Sequence, residues 1–394
     1  MGSADDLKFA DLEAVGPGTP SGRYLRRFWH PVHRACDLKP NRAKPIEILG
    51  EKFTLYRGEP GTAHLISFRC AHRGTQMSLG WVEGDDLRCR YHGWKYDASG
   101  QCIEQPNEDR AFCARVKMPS YPTREYAGLI FAYLGEGEPP PFKQHPDFDR
   151  PGVVIADPVE ILPCNFWNRL DNDLAHVPWV HRATAQRKGW NNYLILRREK
   201  VEETAYGIRT TKLTTNGEID TSLGIRGTAN FYLPNVRQWW QRSRAKGYES
   251  RDLWDTKITW TVPVNDHTYA GFDATSTPLQ GEEAQAYAAS RIKHQEAEAE
   301  TRWDLAEKVL AGEMTLEDLS DDLTASTTFT IEDYCTQVGQ GPLAGRGREQ
   351  LASSDALTVL IRRLWLNEVR AVLENRPLTE WPMPTAPFQS SEAA

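Results

Sequence analysis

Two short cysteine–histidine pairs are the residues of this sequence with the clearest capacity for chemistry. One residue separates Cys70 from His72, two separate Cys89 from His92, and each pair follows a strand-like run. Thiolate and imidazole bind both zinc and iron–sulfur clusters. A structural zinc site usually pairs Cys with Cys and His with His, whereas mixed pairs suit a cluster in which two cysteines hold one iron and two histidines the other. The spacing therefore favours a [2Fe–2S] cluster over zinc.

A second candidate metal centre lies further along the chain. Asp173 and His176 are three positions apart, so they are neighbours on one face of a helix. His181 would leave that face in a straight helix, and Pro178 is expected to distort the helix so that both imidazoles converge. Two histidines and a carboxylate are the ligands of non-haem Fe(II) oxygenases, with open positions left for oxygen. Taken alone, this spacing fits ordinary core or surface histidines equally well.

The composition restricts the partners and the compartment. The formal net charge of −7, without a run of basic residues, disfavours nucleic acid, because phosphate binding draws on clusters of Lys and Arg. The acidic N-terminus lacks the apolar core of a secretory signal, and the longest apolar stretch is far shorter than the roughly 20 residues of a membrane-spanning helix. Seven scattered cysteines without a signal peptide indicate reduced thiols. We expect a soluble, cytoplasmic protein that neither binds nucleic acid nor spans a membrane.

The elements that must position these residues divide into two domains, as expected for a chain of this length. Residues 1–27 are polar and predict an N-terminal arm. Residues 28–141 alternate short strand-like runs with turn residues, which predicts a small antiparallel β domain carrying both cysteine–histidine pairs. Three consecutive prolines, 139–141, interrupt any regular element, and residues 142–394 then form the larger, catalytic domain.

The larger domain has strands and helices segregated along the chain, which predicts an α+β fold with an antiparallel sheet covered by helices. Strand-like runs cover residues 193–201, 207–214, 225–232 and 257–264. The stretch 282–319 is rich in Ala, Glu, Lys and Arg and predicts a largely solvated helix. A final helix over 354–374 begins with Ser-Asp and carries Leu357, Ile361 and Leu364 at helical spacing.

The residues around both candidate centres resemble those of a known family. The segments CAHRG and CRYHGWKYDASGQC are similar to the two loops of a Rieske [2Fe–2S] cluster. The pattern Asp-x-x-His-x4-His is similar to the catalytic signature in the alpha subunit of the Rieske non-haem iron aromatic ring-hydroxylating oxygenases. The resemblance implies that the [2Fe–2S] cluster is bound by Cys70, His72, Cys89 and His92. It also implies that a mononuclear Fe(II) is bound by His176, His181 and a carboxylate far downstream.

The downstream carboxylate follows from a C-terminal segment that resembles the phthalate dioxygenase-like group of this family. On that match Asp333 is the iron ligand and Glu332 is its competitor. The resemblance assigns Asp173 a catalytic role as a bridge between His176 and His92 of the partner subunit. Such a bridge requires a head-to-tail homotrimer or a stacked homohexamer. The sequence departs from the family in one place, since two residues commonly found just before Asp173 are missing.

The reaction implied by the resemblance is hydroxylation or oxidative demethylation of an aromatic substrate with O2. The phthalate-type C-terminus favours a carboxylated or methoxylated ring. Arg226, Arg237 and Arg242 could pair with a substrate carboxylate, or could form structural salt bridges. Because the chain has no nucleotide-binding motif, we expect a separate NAD(P)H-dependent flavin/iron–sulfur reductase, acting directly or through a ferredoxin. A Rieske-type electron carrier without oxygenase activity and a zinc-dependent binding module are the alternatives.

Overall fold

The computed structural model describes residues 7–172, 177–222, 225–242, 253–346 and 349–386. Over these residues the fold is α+β with antiparallel sheets, which confirms the predicted class. The chain divides into two compact units. The N-terminal unit comprises Ala14–Phe142 together with Val262–Asp266, and the C-terminal unit comprises the described residues of Met1–Glu13, Lys143–Thr261 and His267–Ala394.

The N-terminal unit consists of short strands preceded by one short helix, α1 (Pro20–Leu25). Its strands are β1 (Trp29–Arg34), β2 (Arg42–Ile48), β3 (Glu51–Arg57), β4 (Ala63–Ser67), β5 (Trp81–Glu83), β6 (Asp86–Arg88), β7 (Lys95–Tyr96), β8 (Cys102–Glu104), β9 (Ser120–Tyr121), β10 (Thr123–Tyr126) and β11 (Leu129–Tyr133). They form three antiparallel sheets with the orders β1-β11-β10, β2-β3-β4-β9 and β5-β6-β7-β8. Short strands between turns are therefore found where the alternation of strand-like runs and turn residues predicts them.

Both cysteines of the candidate cluster belong to a buried core of the N-terminal unit. Cys70 lies just beyond β4 and Cys89 directly follows β6. Their side chains pack with apolar residues of these sheets, among them Ile66, Leu87 and Met118. The hydrophobic core thus encloses the thiols, while the residues that follow each cysteine lie in loops.

The C-terminal unit is organised around one sheet of eight strands. Its strands are β12 (Val153–Ala156), β13 (Glu160–Leu162), β14 (Arg198–Thr204), β15 (Gly207–Leu213), β16 (Ile225–Tyr232), β17 (Val236–Arg242), β18 (Trp254–Asn265) and β19 (Thr268–Thr277). The order is β12-β19-β18-β17-β16-β15-β14, and β13 pairs with β19. The helices are α2 (Phe166–Leu170), α3 (Val177–Val180), α4 (Arg182–Lys188), α5 (Gly281–Leu310), α6 (Ala325–Gly339) and α7 (Ala356–Leu373).

The two long helices predicted for the C-terminal part of the chain are present, with ends that differ from the prediction. Helix α7 buries Leu357, Ile361 and Leu364, which confirms the apolar stripe predicted for this segment. Helix α5 ends at Leu310, nine residues before the predicted end at Leu319. It ends there because Gly312 adopts a left-handed conformation (φ +76°) and its amide donates to the carbonyl of Val309, which closes the last turn. No helix in the described part of the chain has the length and apolar character needed to cross a bilayer.

Candidate metal centres and the adjoining cavity

The two cysteine–histidine loops share one backbone conformation. In each loop the cysteine carbonyl accepts a hydrogen bond from a glycine four residues later, with N–O distances of 2.9 Å at Gly74 and 3.0 Å at Gly93. The cysteine amide donates to the carbonyl one residue further on, at 2.8 Å in both loops. Both glycines have φ +75°, which side-chain-bearing residues rarely adopt. The common spacing Cys-x3-Gly therefore specifies two matching turns.

The side chains of the two loops converge in one place. The His72 and His92 rings lie 4.6 Å apart, centroid to centroid, and the His72 ring stacks on Trp94 at 4.3 Å. Both thiols belong to the same buried core, and the hydrogen bond between them lowers the pKa of Cys70 and raises that of Cys89. The structure thus brings together the four residues that the resemblance assigns to the cluster.

Two features of this site fit a bound iron–sulfur cluster. Nδ1 of His72 is buried and forms no hydrogen bond within the described part of the chain. A buried ring nitrogen of this kind normally has a partner, and a metal ion would provide one. The Tyr96 hydroxyl lies 3.2 Å from Sγ of Cys70, where it can donate to a thiolate. The site therefore offers two cysteine sulfurs and two imidazole rings as ligands, together with a hydroxyl that can donate to the sulfur of Cys70.

The second candidate centre is described only in part. Asp173 and His176 lie outside the described residues, so the structure places only His181 and Asp333 of the expected set. His181 is not helical (φ −100°, ψ 19°) and separates α3 from α4. The helical break therefore falls at His181, whereas Pro178 lies in the first turn of α3, where its missing N–H interrupts no helical hydrogen bond.

His181 faces two carboxylates of helix α6, one with each ring nitrogen. Nδ1 lies 2.7 Å from Glu332 Oε2, and Nε2 lies 3.9 Å from Asp333 Oδ1. Consecutive helical residues point about 100° apart, so the two carboxylates occupy different environments. Glu332 is fully buried and also accepts a 2.6 Å hydrogen bond from Thr184, while the Asp333 side chain is 34% exposed.

This arrangement distinguishes the roles available to the two carboxylates. A carboxylate only accepts hydrogen bonds, so the His181 ring donates through Nδ1 to Glu332 and keeps the lone pair of Nε2 for a metal ion. Both oxygens of Glu332 are engaged by His181 and Thr184. Asp333 keeps an accessible carboxylate on the side of Nε2. The geometry is compatible with Asp333 as a ligand and with Glu332 as the residue that orients His181.

Asp333 also borders a cavity of about 170 Å³ in the C-terminal unit. The cavity lies among β13, β18, β19, α2, α5 and α6. Its charged lining residues are Asp157, Glu160, Arg169, Lys257, Asp273, Arg302 and Asp333. The remaining lining is mostly polar, with Trp303 as the single tryptophan within the described residues. The structure thus places a mostly polar cavity beside a candidate iron ligand.

The arginines that the sequence suggested for substrate binding do not line this cavity. Arg237 donates to the backbone carbonyls of Asn172 and Leu170, a structural role. The guanidinium of Arg242 lies 5.3 Å from the Trp254 ring, and the side chain of Arg226 is outside the described residues. Arg169 lines the cavity instead. Burial opposes its charge, but the nearby phenol of Tyr269 and carboxylate of Asp333 raise the pKa of Arg169.

Comparison with known proteins supports an assignment over nearly the whole chain. The model of the Rieske [2Fe–2S] domain matches residues 28–122. The phenoxybenzoate dioxygenase subunit alpha of Ectopseudomonas oleovorans is 30% identical over 92% of this chain and 84% of its own length. The oxygenase subunit of 5,5'-dehydrodivanillate O-demethylase from Sphingobium sp. (strain NBRC 103272 / SYK-6) is 28% identical over 92% of this chain and 79% of its own.

A solved structure shares the fold at lower identity. A chain from the oxygenase and ferredoxin complex of carbazole 1,9a-dioxygenase superimposes with a TM-score of 0.61 and 20% identity, covering 92% of each chain. The similarity extends across both units. An electron carrier without a catalytic domain would match only the N-terminal unit, so these findings argue against that alternative.

Proposed function

Because this chain belongs to the family of Rieske non-haem iron oxygenases and is an oxidoreductase, we propose a chemical role for each of its two units and for their site residues. The N-terminal unit receives electrons at a [2Fe–2S] cluster, and the C-terminal unit oxidises an aromatic substrate with O2 at a mononuclear Fe(II). When bound, the cluster stores one electron and the ferrous ion offers the open positions at which O2 is activated.

Cys70 and Cys89 would hold one iron of the cluster, and His72 and His92 the other. Nδ1 of His72, which is buried and has no hydrogen-bond partner among the described residues, supports this assignment, as do the two matching turns. The Tyr96 hydroxyl is positioned to donate to the Cys70 sulfur and to stabilise its negative charge. Trp94 keeps the His72 ring in its orientation by stacking against it.

The surroundings of His181 are the main support for the proposed mononuclear iron site. One of its ring nitrogens is fixed by the buried Glu332, and the other faces Asp333 at a cavity. We assign His176, His181 and Asp333 as ligands, with Glu332 and Phe329 orienting the His181 ring. Phe329 packs against that ring at a centroid distance of 4.3 Å. Asp173 is assigned as the bridge between His176 and His92 of the partner subunit.

Exposed aromatic side chains near each centre support a head-to-tail oligomer, either a trimer or a stacked hexamer. In the N-terminal unit the exposed Tyr91 packs against His92 at 3.8 Å, and Arg90 lies over the exposed Trp81 at 4.2 Å. In the C-terminal unit Arg182, adjacent to His181, lies 5.3 Å from the exposed Trp179. Aromatic and Arg side chains are enriched in protein interfaces, and a head-to-tail contact of two different surfaces closes into a ring.

We propose an aromatic acid or methoxy-aromatic acid as the substrate and a ferredoxin or flavin/iron–sulfur reductase, supplied by NAD(P)H, as the electron donor. Relatives named for dehydrodivanillate O-demethylation and for phenoxybenzoate dioxygenation support the substrate class. The solved oxygenase and ferredoxin complex of carbazole 1,9a-dioxygenase supports the electron donor. The reaction is hydroxylation or oxidative demethylation.

The test is turnover with isotopically labelled oxygen. Purified protein is loaded with iron, mixed with a ferredoxin, a reductase and NADH, and offered benzoate and methoxybenzoates under 18O2. We expect 18O in a hydroxylated product, or demethylation coupled to NADH oxidation, and loss of both in His181→Ala, which should keep its red-brown cluster. Product formation that persists in His181→Ala, or oxygen drawn only from water, would refute the proposed site.

A further inference from the structure

The charged residues of the cavity are arranged in ion pairs, with two exceptions among the described residues, Arg169 and Asp333. Lys257 lies 2.5 Å from Asp273, and Arg302 lies 2.6 Å from Glu160. The third pair is Asp157 with Arg291, which binds it through two nitrogen atoms, both at 2.8 Å. Each of these acidic side chains therefore already has a cationic partner. Such pairing is what makes burial of a charge tolerable.

Arg169 is the cationic exception. Its guanidinium donates no hydrogen bond and forms no ion pair within 4 Å in the described part of the chain, although it lines the cavity and is partly buried. Asp333 is the carboxylate at the cavity that is left without a lysine or arginine partner among the described residues. That carboxylate is assigned to the metal ion. A bound metal ion would neutralise it and leave Arg169 without a counter-charge.

Helix α2, which carries Arg169, is joined to helix α6 by hydrogen bonds. Asn165 caps α2 by accepting from the Trp167 amide at 3.0 Å. The side-chain amide of Asn168 donates to the carbonyls of Gln337 and Gly341, at 2.7 and 3.1 Å, and so ties α2 to the end of α6. Arg169 and Asp333 are consequently carried by two helices that are fixed to each other.

We propose that Arg169 is the anion-binding residue of the substrate site and selects a compact, single-ring aromatic acid. A guanidinium matches a carboxylate through two parallel hydrogen bonds. The volume sets the size limit, because a cavity of about 150 Å³ accommodates benzene, and 170 Å³ leaves room for one ring with small substituents.

This inference rests on the proposed function, since it takes the cavity beside Asp333 as the substrate site.

Equilibrium binding without turnover tests the inference. We would titrate the iron-loaded protein anaerobically with 3-methoxybenzoate and with its uncharged methyl ester, using isothermal titration calorimetry. The wild type should prefer the acid. Arg169→Met should lose about 10- to 100-fold in affinity for the acid, the effect of removing a charged hydrogen-bonding partner, and little for the ester.

Two variants control for structural effects. Arg169→Lys keeps the charge without the paired geometry and should lie between wild type and Arg169→Met. Arg363→Met removes an exposed arginine outside the cavity, paired with Glu203 at 3.1 Å, so the ratio of acid to ester affinity should stay near the wild-type value. Cluster absorbance and the melting temperature monitor the fold of each variant.

Three results would overturn the assignment. These are equal wild-type affinity for acid and ester, acid binding in Arg169→Met as tight as in wild type, and no binding of the acid by the wild type. If Arg169→Met does not fold, Arg169→Lys and the acid-to-ester comparison in wild type still test whether Arg169 binds the carboxylate. Absence of turnover would instead refute the proposed function, and acid binding through Arg169 is measured without turnover.

Discussion

The hydrogen bond from His181 to Glu332 gives the sharpest prediction about the mononuclear site. Glu332 is completely buried and accepts from Nδ1 of His181 at 2.7 Å and from the Thr184 hydroxyl at 2.6 Å. Accepting the Nδ1–H fixes the ring orientation and makes Nε2 a stronger ligand. We therefore expect substitutions of Glu332 to weaken Fe(II) binding although they leave all three proposed iron ligands in place.

The magnitude follows from the number of bonds removed. Loss of an outer carboxylate partner of a metal-bound histidine typically costs about 10- to 100-fold in metal affinity. Glu332→Gln keeps an acceptor for the ring and loses the charge, so we expect the lower end of this range. Glu332→Ala leaves Nδ1 of His181 and the buried Thr184 hydroxyl unpaired, so we expect the upper end and a loss of about 2–6 kcal/mol in unfolding free energy.

The assay is an anaerobic Fe(II) titration of protein that contains the cluster but lacks mononuclear iron. Binding is followed by the electron paramagnetic resonance signal of the nitric oxide complex. Thr336→Val is the matched control, because Thr336 lies on the same helix and, among the described residues, its hydroxyl bonds only to the backbone carbonyls of Glu332 and Asp333. Wild-type Fe(II) affinity in both Glu332 variants would refute the role of Glu332, and equal weakening in Thr336→Val would point to a general effect on the helix.

Three other predictions concern the cluster, the bridge and acid stability. Tyr96→Phe removes a hydrogen bond to the Cys70 sulfur and should lower the cluster potential by about 60 mV, which corresponds to the energy of one such bond. Protein-film voltammetry measures this potential, and an unchanged value would contradict a hydrogen bond from Tyr96 to the sulfur. Asp173→Asn should keep both metals and lose most turnover, and full activity would remove its bridging role. Burial lowers the pKa of His30 to about 4, so its protonation should destabilise the fold as pH falls from about 6.5 to 4, by up to about 3 kcal/mol. His30→Gln should flatten that part of a pH–stability curve measured by urea unfolding, and an identical curve would contradict the prediction.

Local patterns in the sequence predict the parts of the site that depend on neighbouring residues. The spacing Cys-x3-Gly dictates both turns around the candidate cluster, because each glycine supplies the left-handed conformation that closes its own loop. The final helix was predictable for the same reason, since its buried stripe recurs at helical spacing. In these cases the chemistry and the conformation are set within a few residues.

Contacts between distant segments were not predictable in this way. The partnership of Glu332 with His181 spans 151 positions, and no local pattern distinguishes Glu332 from Asp333. Arg169 was overlooked because a lone arginine in a short helix has no signal of its own until α6 and the sheet complete the cavity. Strands β12, β13, β17 and β19 and helix α6 were missed as well. Asp173 and His176 lie outside the described residues, so their roles stay predictions.

Iron and sulfide analysis of the anaerobically purified protein tests the central claim most directly. A Rieske cluster together with a separate ferrous site predicts about three irons and two acid-labile sulfides per chain, with His181→Ala reduced to about two irons and unchanged sulfide. Zinc in place of iron, a colourless protein, or the same iron content in wild type and His181→Ala would contradict the account.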